Sequence, residues 1–225
     1  MRSYRYLEFI TASFVAVLII SNIASTKIVD LGWFTFDGGT ILFPLAYIFG
    51  DVLTEVYGYA RSRRVIWTGF FWLVVMAVVL TIVDRLPAAS DYALNDEFHA
   101  ILGQTWRIVA GSLAAFWAGE FVNSVILAKM KVRTQGKALW SRTITSTIFG
   151  QAVDTAVFLL IAFGGVLTTA TLWDVFKSNY VFKVGVEVLF TPITYLIVIY
   201  LKKAENSDVY DTDTDFSPFA VSSAD

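Results

Sequence analysis

The sequence predicts an all-α membrane protein, a bundle of six transmembrane helices with both termini in the cytoplasm. The chain is 56% hydrophobic and only 16% charged, whereas a soluble domain has about 25% charged residues. Its apolar residues fall into six runs, each near the roughly 20 residues that a spanning helix needs. The connections between these runs alternate between rich and poor in Lys and Arg.

The predicted spans and the segments around them divide the chain into two parts. A membrane domain covers 1–203, and an acidic tail that we expect to be disordered covers 204–225. The tail contains six acids and no Lys or Arg, a composition typical of solvated segments. In the outer loop 84–105, an amphipathic stretch over 95–102 predicts a short surface helix. The six spans are 7–28, 40–59, 65–83, 106–127, 143–165 and 180–201.

The distribution of Lys and Arg predicts the orientation. Twelve of them lie in the connections on one side of the membrane and at the two ends of the chain, four lie on the opposite side, and Lys183 alone lies inside a span. Connections on the cytoplasmic side carry the excess of Lys and Arg. Both termini are therefore expected in the cytoplasm.

Composition also argues against an enzyme. The chain has no cysteine and a single histidine, and His99 falls in a predicted loop. Disulfides, thiol chemistry and a histidine-based metal site or catalytic triad are therefore not expected. A membrane-embedded enzyme would have to rely on acids alone, which is poor evidence for catalysis. We expect neither a cofactor nor a bound metal.

Polar side chains inside the spans are the candidate functional residues. An ionisable group in the bilayer core is costly unless it is paired or faces water. The third span has none, but the other five each carry strongly polar residues, which avoid lipid only by converging on one interior cavity. Deep in the spans, Asp51, Glu120, Asp154 and Glu187 face Lys183 alone, so the excess charge needs protons, a cation or a donor-rich substrate. The candidate ligands are Asn22, Asp51, Glu120, Asn123, Gln151, Asp154, Lys183 and Glu187.

Lys183 and Glu187 allow two interpretations. They lie four residues apart, so they share a face of the sixth span, and we expect them to pair when no substrate is bound. The pair would either only fix helix packing or be separated by an entering ligand.

The same cavity suits a flat, donor-rich heterocycle. One carboxylate can accept two parallel N–H groups, such as those on the edge of a guanine-like base. Phe43, Tyr47 and Phe158 are candidates for stacking on such a ring. Residue spacing alone leaves other small polar compounds open.

Four segments resemble the queuosine precursor transporter family. They are FPLAYIFGD at 43–51 continuing to EVYG at 55–58, GEFVNS at 119–124, GQAVDT at 150–155, and Lys183, Glu187 and Thr191-Pro192 in the last span. The likeness covers about 7–203. It implies a multi-pass carrier of the bacterial inner membrane, related to vitamin-uptake carriers. Such a carrier imports 7-deazaguanine bases, such as 7-cyano-7-deazaguanine and 7-aminomethyl-7-deazaguanine, for tRNA modification, without contacting nucleic acid directly.

The sequence leaves the partners of the chain open. The family is also related to substrate-binding subunits of energy-coupling-factor importers, which need an ATP-driven partner. Ala12 and Ala16 form a small-xxx-small pattern that suits helix contacts of any kind. A homodimer through Phe70, Phe71 and Trp72 of the third span and plain contact with lipid both fit that aromatic surface.

The charge distribution gives a topology that labelling can test. Single cysteines at Lys137 and Lys203 should react from the cytoplasmic side, and single cysteines at Asp91 and Asp174 from the outside. Each variant carries one thiol, because the chain has no cysteine of its own. Labelling of position 203 from outside would mean an odd number of crossings and would contradict the six-span arrangement.

Overall fold

The computed structural model describes residues 4–133, 139–207 and 209, apart from the side chains of 47, 51, 55, 59, 120, 121, 123–125, 127–133 and 139–143. The chain is mostly helical. In order, its elements are α1 (Leu7–Ala24), β1 (Ile28–Asp30), β2 (Thr35–Asp37), a 3₁₀ turn (Gly38–Leu42), α2 (Phe43–Tyr57), α3 (Tyr59–Arg85), α4 (Asn95–Leu102), α5 (Thr105–Arg133), α6 (Leu139–Phe163) and α7 (Thr169–Glu205).

The prediction of an all-α membrane protein is confirmed. Each predicted span overlaps a helix, and α4 coincides with the short helix predicted in the outer loop. Among the described residues, α1, α3, α6 and α7 are each long and apolar enough to cross a membrane. The shorter α2 has 15 residues and is also apolar.

The last helix is longer than its predicted span. It has 37 residues, or about 55 Å at 1.5 Å per residue, whereas the hydrocarbon core is about 30 Å thick. Thr168 caps its beginning, since its hydroxyl oxygen accepts from the backbone N–H of Thr171 at 3.2 Å. The helix continues to Glu205, past the predicted boundary at 203. Apart from 204–207 and Val209, the predicted tail lies outside the described residues.

A small β-hairpin follows α1 and was not predicted. Its two three-residue strands pair antiparallel, with Val29 opposite Phe36. Gly32 turns the chain at φ +86°, a conformation that glycine adopts without strain. The hairpin packs on α7, where the backbone N–H of Thr35 donates to the Ser178 hydroxyl at 3.2 Å. Strands this short leave no alternation for a sequence to show.

Two glycines allow α5 to approach α6 closely. A Cβ added at Gly119 would lie 2.8 Å from the Cβ of Asp154, and one at Gly111 would lie 3.2 Å from the carbonyl oxygen of Phe158. The distance at Gly119 leaves no room for a Cβ unless the backbone shifts, and the contact at Gly111 is tight. The α5 backbone that carries Glu120 therefore passes directly against the turn of α6 that carries Asp154.

The third helix divides its aromatic residues between the core and the surface. Phe70 is buried with Leu73 and Val109 in a cluster that joins α3 to α5. Phe71 and Trp72 are exposed. The aromatic surface expected on this span therefore includes Phe71 and Trp72, whereas Phe70 belongs to the core.

A buried carboxylate joins the beginning of α1 to the end of α7. Glu205 accepts from the backbone N–H groups of Arg5 at 2.9 Å and Tyr6 at 2.7 Å, and from the hydroxyl of Tyr57 at 3.0 Å. The unbonded N–H groups and positive dipole end of a helix N-terminus both favour a carboxylate. One side chain thus ties α1, α2 and α7 together at this end of the bundle.

Candidate functional site

The face of α7 that meets the rest of the bundle carries a stripe of polar residues. Asn179, Lys183, Glu187 and Thr191 recur every four residues, which places them on one side of the helix. Asn179 and Lys183 are almost completely buried. The stripe contacts α6, the beginning of α2 and the segment after the hairpin.

Lys183 is held by Asp154 of α6. Its ammonium lies 2.5 Å from Oδ2 of Asp154, and the lysine side chain is 3% exposed. The ammonium also lies 4.1 Å from the centre of the Phe43 ring on α2, a favourable cation–π distance. Lys183 thus brings three helices together at one point.

The expected pairing of Lys183 with Glu187 is replaced by this interhelical pair. Within a helix, an acid four residues before a lysine pairs better than one four residues after it, and Glu187 comes after Lys183. Asp154 offers its carboxylate from a neighbouring helix instead. Because a buried charge without a partner is costly, the pair selects the relative position of α6 and α7.

Glu187 makes a second link between the same two helices. Its Oε1 accepts from the hydroxyl of Thr147 at 2.8 Å. Thr191 donates to the backbone carbonyl of Glu187 at 2.5 Å. Thr147 and Asp154 lie two turns apart on α6, so α6 and α7 are joined twice along one antiparallel contact.

Beside these two links, α6 presents polar atoms that no group in the described part of the chain satisfies. The side-chain amide oxygen of Gln151, Oε1, and the hydroxyl of Thr155 are buried without a hydrogen-bond partner in the described part of the chain. Asp154 uses Oδ2 for Lys183, and no described group donates to its Oδ1. The face is therefore suited to a ligand that brings hydrogen-bond donors.

A third buried cluster lies one turn along α7 from Lys183, and sequence reasoning missed it. Asp37 accepts from the hydroxyls of Ser25 at 2.6 Å and Thr40 at 2.8 Å, and from the side-chain amide of Asn179 at 2.6 Å. Asp37 and Asn179 are each 1% exposed. Asn179 continues the four-residue spacing of Lys183 and Glu187 by one turn, and that spacing was the signal available in the sequence.

Two predicted site residues contact other parts of the bundle. Asn22 is buried, donates to the carbonyl of Leu18 and accepts from the Ser112 hydroxyl, each at 2.9 Å, so it joins α1 to α5. Phe158 packs edge-on against Phe163, with ring centres 5.8 Å apart, in an apolar cluster.

Four predicted residues have side chains outside the described part of the chain. Their backbones lie on α2 and α5. They are Tyr47, Asp51, Glu120 and Asn123.

Two apolar grooves lie elsewhere, between α3 and α5. Their volumes are about 340 and 570 Å³, and they share Val74 and Leu113 in their walls. Walls of this composition suit hydrocarbon rather than a polar solute. The polar cluster around Lys183 is thus the better candidate for a solute site.

The chain is similar to known transporters. The sequence profile of the family described as "Putative vitamin uptake transporter" matches residues 37–197. The chain is 28% identical over 178 residues to a "Probable queuosine precursor transporter" of Bacillus subtilis (strain 168), which covers 79% of this chain and 78% of the relative. It is 22% identical over 212 residues to the "Queuosine precursor transporter" of Escherichia coli (strain K12), 92% of this chain and 93% of the relative. No solved structure matches the chain.

The Lys183–Asp154 pair predicts a non-additive pattern of stability. Lys183→Met and Asp154→Asn should each destabilise the protein by about 3–5 kcal/mol, because each leaves one buried charge without its partner. The double variant should be less destabilised than the sum of the two. Thermal unfolding of the purified protein in detergent measures all three.

Lys177→Met is the matched control. Lys177 pairs with Asp174 at the surface, at 2.9 Å and with both side chains more than half exposed, so its loss should change little. Wild-type unfolding of Lys183→Met would contradict the buried pair.

Proposed function

Because the chain belongs to the vitamin uptake transporter family, we propose that it imports queuosine precursors into the cell. The proposed substrates are 7-deazaguanine bases such as 7-cyano-7-deazaguanine and 7-aminomethyl-7-deazaguanine, which serve tRNA modification. The proposal takes the six-span arrangement with both termini in the cytoplasm from the distribution of Lys and Arg. It makes the chain a multi-pass carrier of the bacterial inner membrane.

The polar face between α6 and α7 is the observation that carries this proposal. Four of the described helices are long and apolar enough to cross a membrane, and ionisable residues inside such helices are functional-site candidates by default. The profile match over 37–197 includes every residue of this face. The two relatives described above are named for queuosine precursors, which have the donor-rich edge that such a face accommodates.

A guanine-like base meets this face in complementary positions. Its paired N–H groups are donated to carboxylates, of which Asp154 and Glu120 are the proposed acceptors. Lys183 offers a donor to the carbonyl or the 7-substituent of the base. Phe43 and Tyr47, on the first turns of α2, are the proposed stacking groups. The full proposed set is Asn22, Asp51, Glu120, Asn123, Gln151, Asp154, Lys183 and Glu187, with Phe43, Tyr47 and Phe158 as aromatic contacts.

Substrate entry would act on the pair that closes α6 against α7. A base that donates to Asp154 competes with Lys183 for the carboxylate, and its carbonyl gives Lys183 a replacement acceptor. The exchange keeps both charges partnered throughout, which avoids the cost of a lone buried charge. It would also loosen the contact between α6 and α7, which a carrier must do to pass the solute.

The alternative is a substrate-binding subunit that needs an ATP-driven partner. Ala12 and Ala16 are exposed on the same face of α1, and small residues let another helix approach closely. The two functions differ in whether the chain transports when no other component is present.

Cells that can neither make nor import these bases provide the test. When they express this chain and receive external 7-cyano-7-deazaguanine, queuosine should appear in their tRNA, measured by mass spectrometry of digested tRNA. Glu120→Gln should weaken binding of the base about 10- to 150-fold, since a hydrogen bond to a charged group contributes about 1.5–3 kcal/mol.

Glu97→Gln, on the exposed helix α4, is the matched control and should behave as wild type. Absence of queuosine with the wild-type chain present in the membrane would refute the proposed function. Unaltered binding by Glu120→Gln would remove that residue from the site and leave the function standing.

A further inference from the structure

Two side-chain atoms on one face of α6 are buried and have no hydrogen-bond partner in the described part of the chain. They are the amide oxygen Oε1 of Gln151 and the hydroxyl oxygen of Thr155. A threonine hydroxyl on a helix can donate to the carbonyl four residues earlier, as Thr191 does to Glu187, but Thr155 makes no such bond. Native proteins satisfy nearly all buried polar groups, so such exceptions need an explanation. A third unsatisfied atom, the hydroxyl of Thr105, lies by itself at the beginning of α5.

The surroundings of Gln151 indicate what is missing. One turn before it, Thr147 is bonded to Glu187, and three residues after it, Asp154 is bonded to Lys183 through one oxygen only. The side-chain amide oxygen of Gln151 and Oδ1 of Asp154 are thus neighbouring acceptors on one face, and no described group donates to either. Within the described part of the chain neither atom has a donor, and a ligand that carries N–H groups would supply one to each.

We propose that Gln151 and Asp154 together receive the exocyclic amine of the transported base. The inference rests on the proposed function and adds the contact that gives the site its selectivity. An exocyclic amine carries two N–H bonds on one nitrogen, so it can donate to both acceptors at once, whereas a ring N–H can donate to one. The 2-amino group is then the feature by which the site selects guanine-like bases over hypoxanthine-like bases.

A site of this kind lowers the stability of the empty protein. A buried acceptor left unsatisfied is unfavourable, and the ligand removes that penalty when it binds. Replacing the acceptor by an apolar group should therefore stabilise the empty protein and weaken ligand binding. A residue with a purely structural role would lose stability on the same replacement.

The first measurement is thermal unfolding without ligand. Gln151→Met, which keeps the length of the side chain but removes the acceptor, should raise the Tm by about 2–4 °C. Thr155→Val should raise the Tm or leave it unchanged, because its hydroxyl is unbonded. Thr147→Val is the matched comparison on the same helix face, and it should lower the Tm because its hydroxyl is bonded to Glu187.

The second measurement is a binding cycle with two ligands, 7-cyano-7-deazaguanine and its analogue without the 2-amino group. Calorimetry on the wild-type protein should show that the analogue binds about 5- to 50-fold more weakly. The analogue lacks the amine that donates to the Gln151 amide and the Asp154 carboxylate. In Gln151→Met, the affinity for the guanine-like base should fall by a similar factor. The ratio between the two ligands should shrink, because the amine has lost one of its two acceptors.

The outcomes separate failure of the amine contact from failure of the proposed function. A lowered Tm for Gln151→Met, or an unchanged ligand ratio in that variant, would overturn the amine contact while leaving the transported class intact. Tighter binding of the analogue by the wild type would show that the Gln151 amide donates rather than accepts, which also overturns the inference. Failure of the wild type to bind either base would refute the proposed function, and the inference with it.

Discussion

The bundle depends on the need to give one buried ammonium a counter-charge. Lys183 is 3% exposed on a helix of membrane-spanning character, where an unpaired charge would cost several kcal/mol. Asp154 supplies the counter-charge from α6, and the turn that carries it is packed so closely against α5 that only Gly119 fits there. With α7 in this position, Glu187 also bonds to Thr147, and Asn179 bonds to Asp37. One ion pair thus sets how α7 lies against its neighbours.

The same alignment leaves part of the proposed site without hydrogen-bond partners. The contacts between α6 and α7 give Thr147, Lys183 and Glu187 hydrogen-bond partners. They leave the side-chain amide oxygen of Gln151 buried without a donor in the described part of the chain. A buried group of this kind calls for an explanation, and a ligand bound at one stage of function supplies one. A carrier has such a stage, because its binding face is alternately empty and occupied. The apolar grooves between α3 and α5 show no comparable unsatisfied groups, so the polar and apolar features of the bundle are separated.

Sequence reasoning found the elements that depend on local pattern. Hydropathy located the helices, amphipathicity located α4, and four-residue spacing placed Lys183 and Glu187 on one face of α7. It failed where the answer depends on what lies opposite in space. The partner of Lys183 is Asp154 of another helix, and Asp37 and Glu205, which fell outside the predicted spans, are buried carboxylates that join distant segments. Local spacing cannot show such partners, because Lys183 and Asp154 are 29 positions apart, and the contacts of Asp37 with Asn179 and of Glu205 with Arg5 join residues more than a hundred positions apart.

The proposed function requires that this chain by itself moves a guanine-like base across a membrane through the face that Lys183 and Asp154 close. Its most direct test is uptake of radiolabelled 7-cyano-7-deazaguanine by liposomes that contain the purified protein and no other component. The account predicts saturable uptake above that of empty liposomes, inhibited by unlabelled base and lost when Asp154 is replaced by Asn. Binding without uptake, under every imposed ion gradient, would contradict a self-sufficient carrier and favour a subunit that needs an ATP-driven partner.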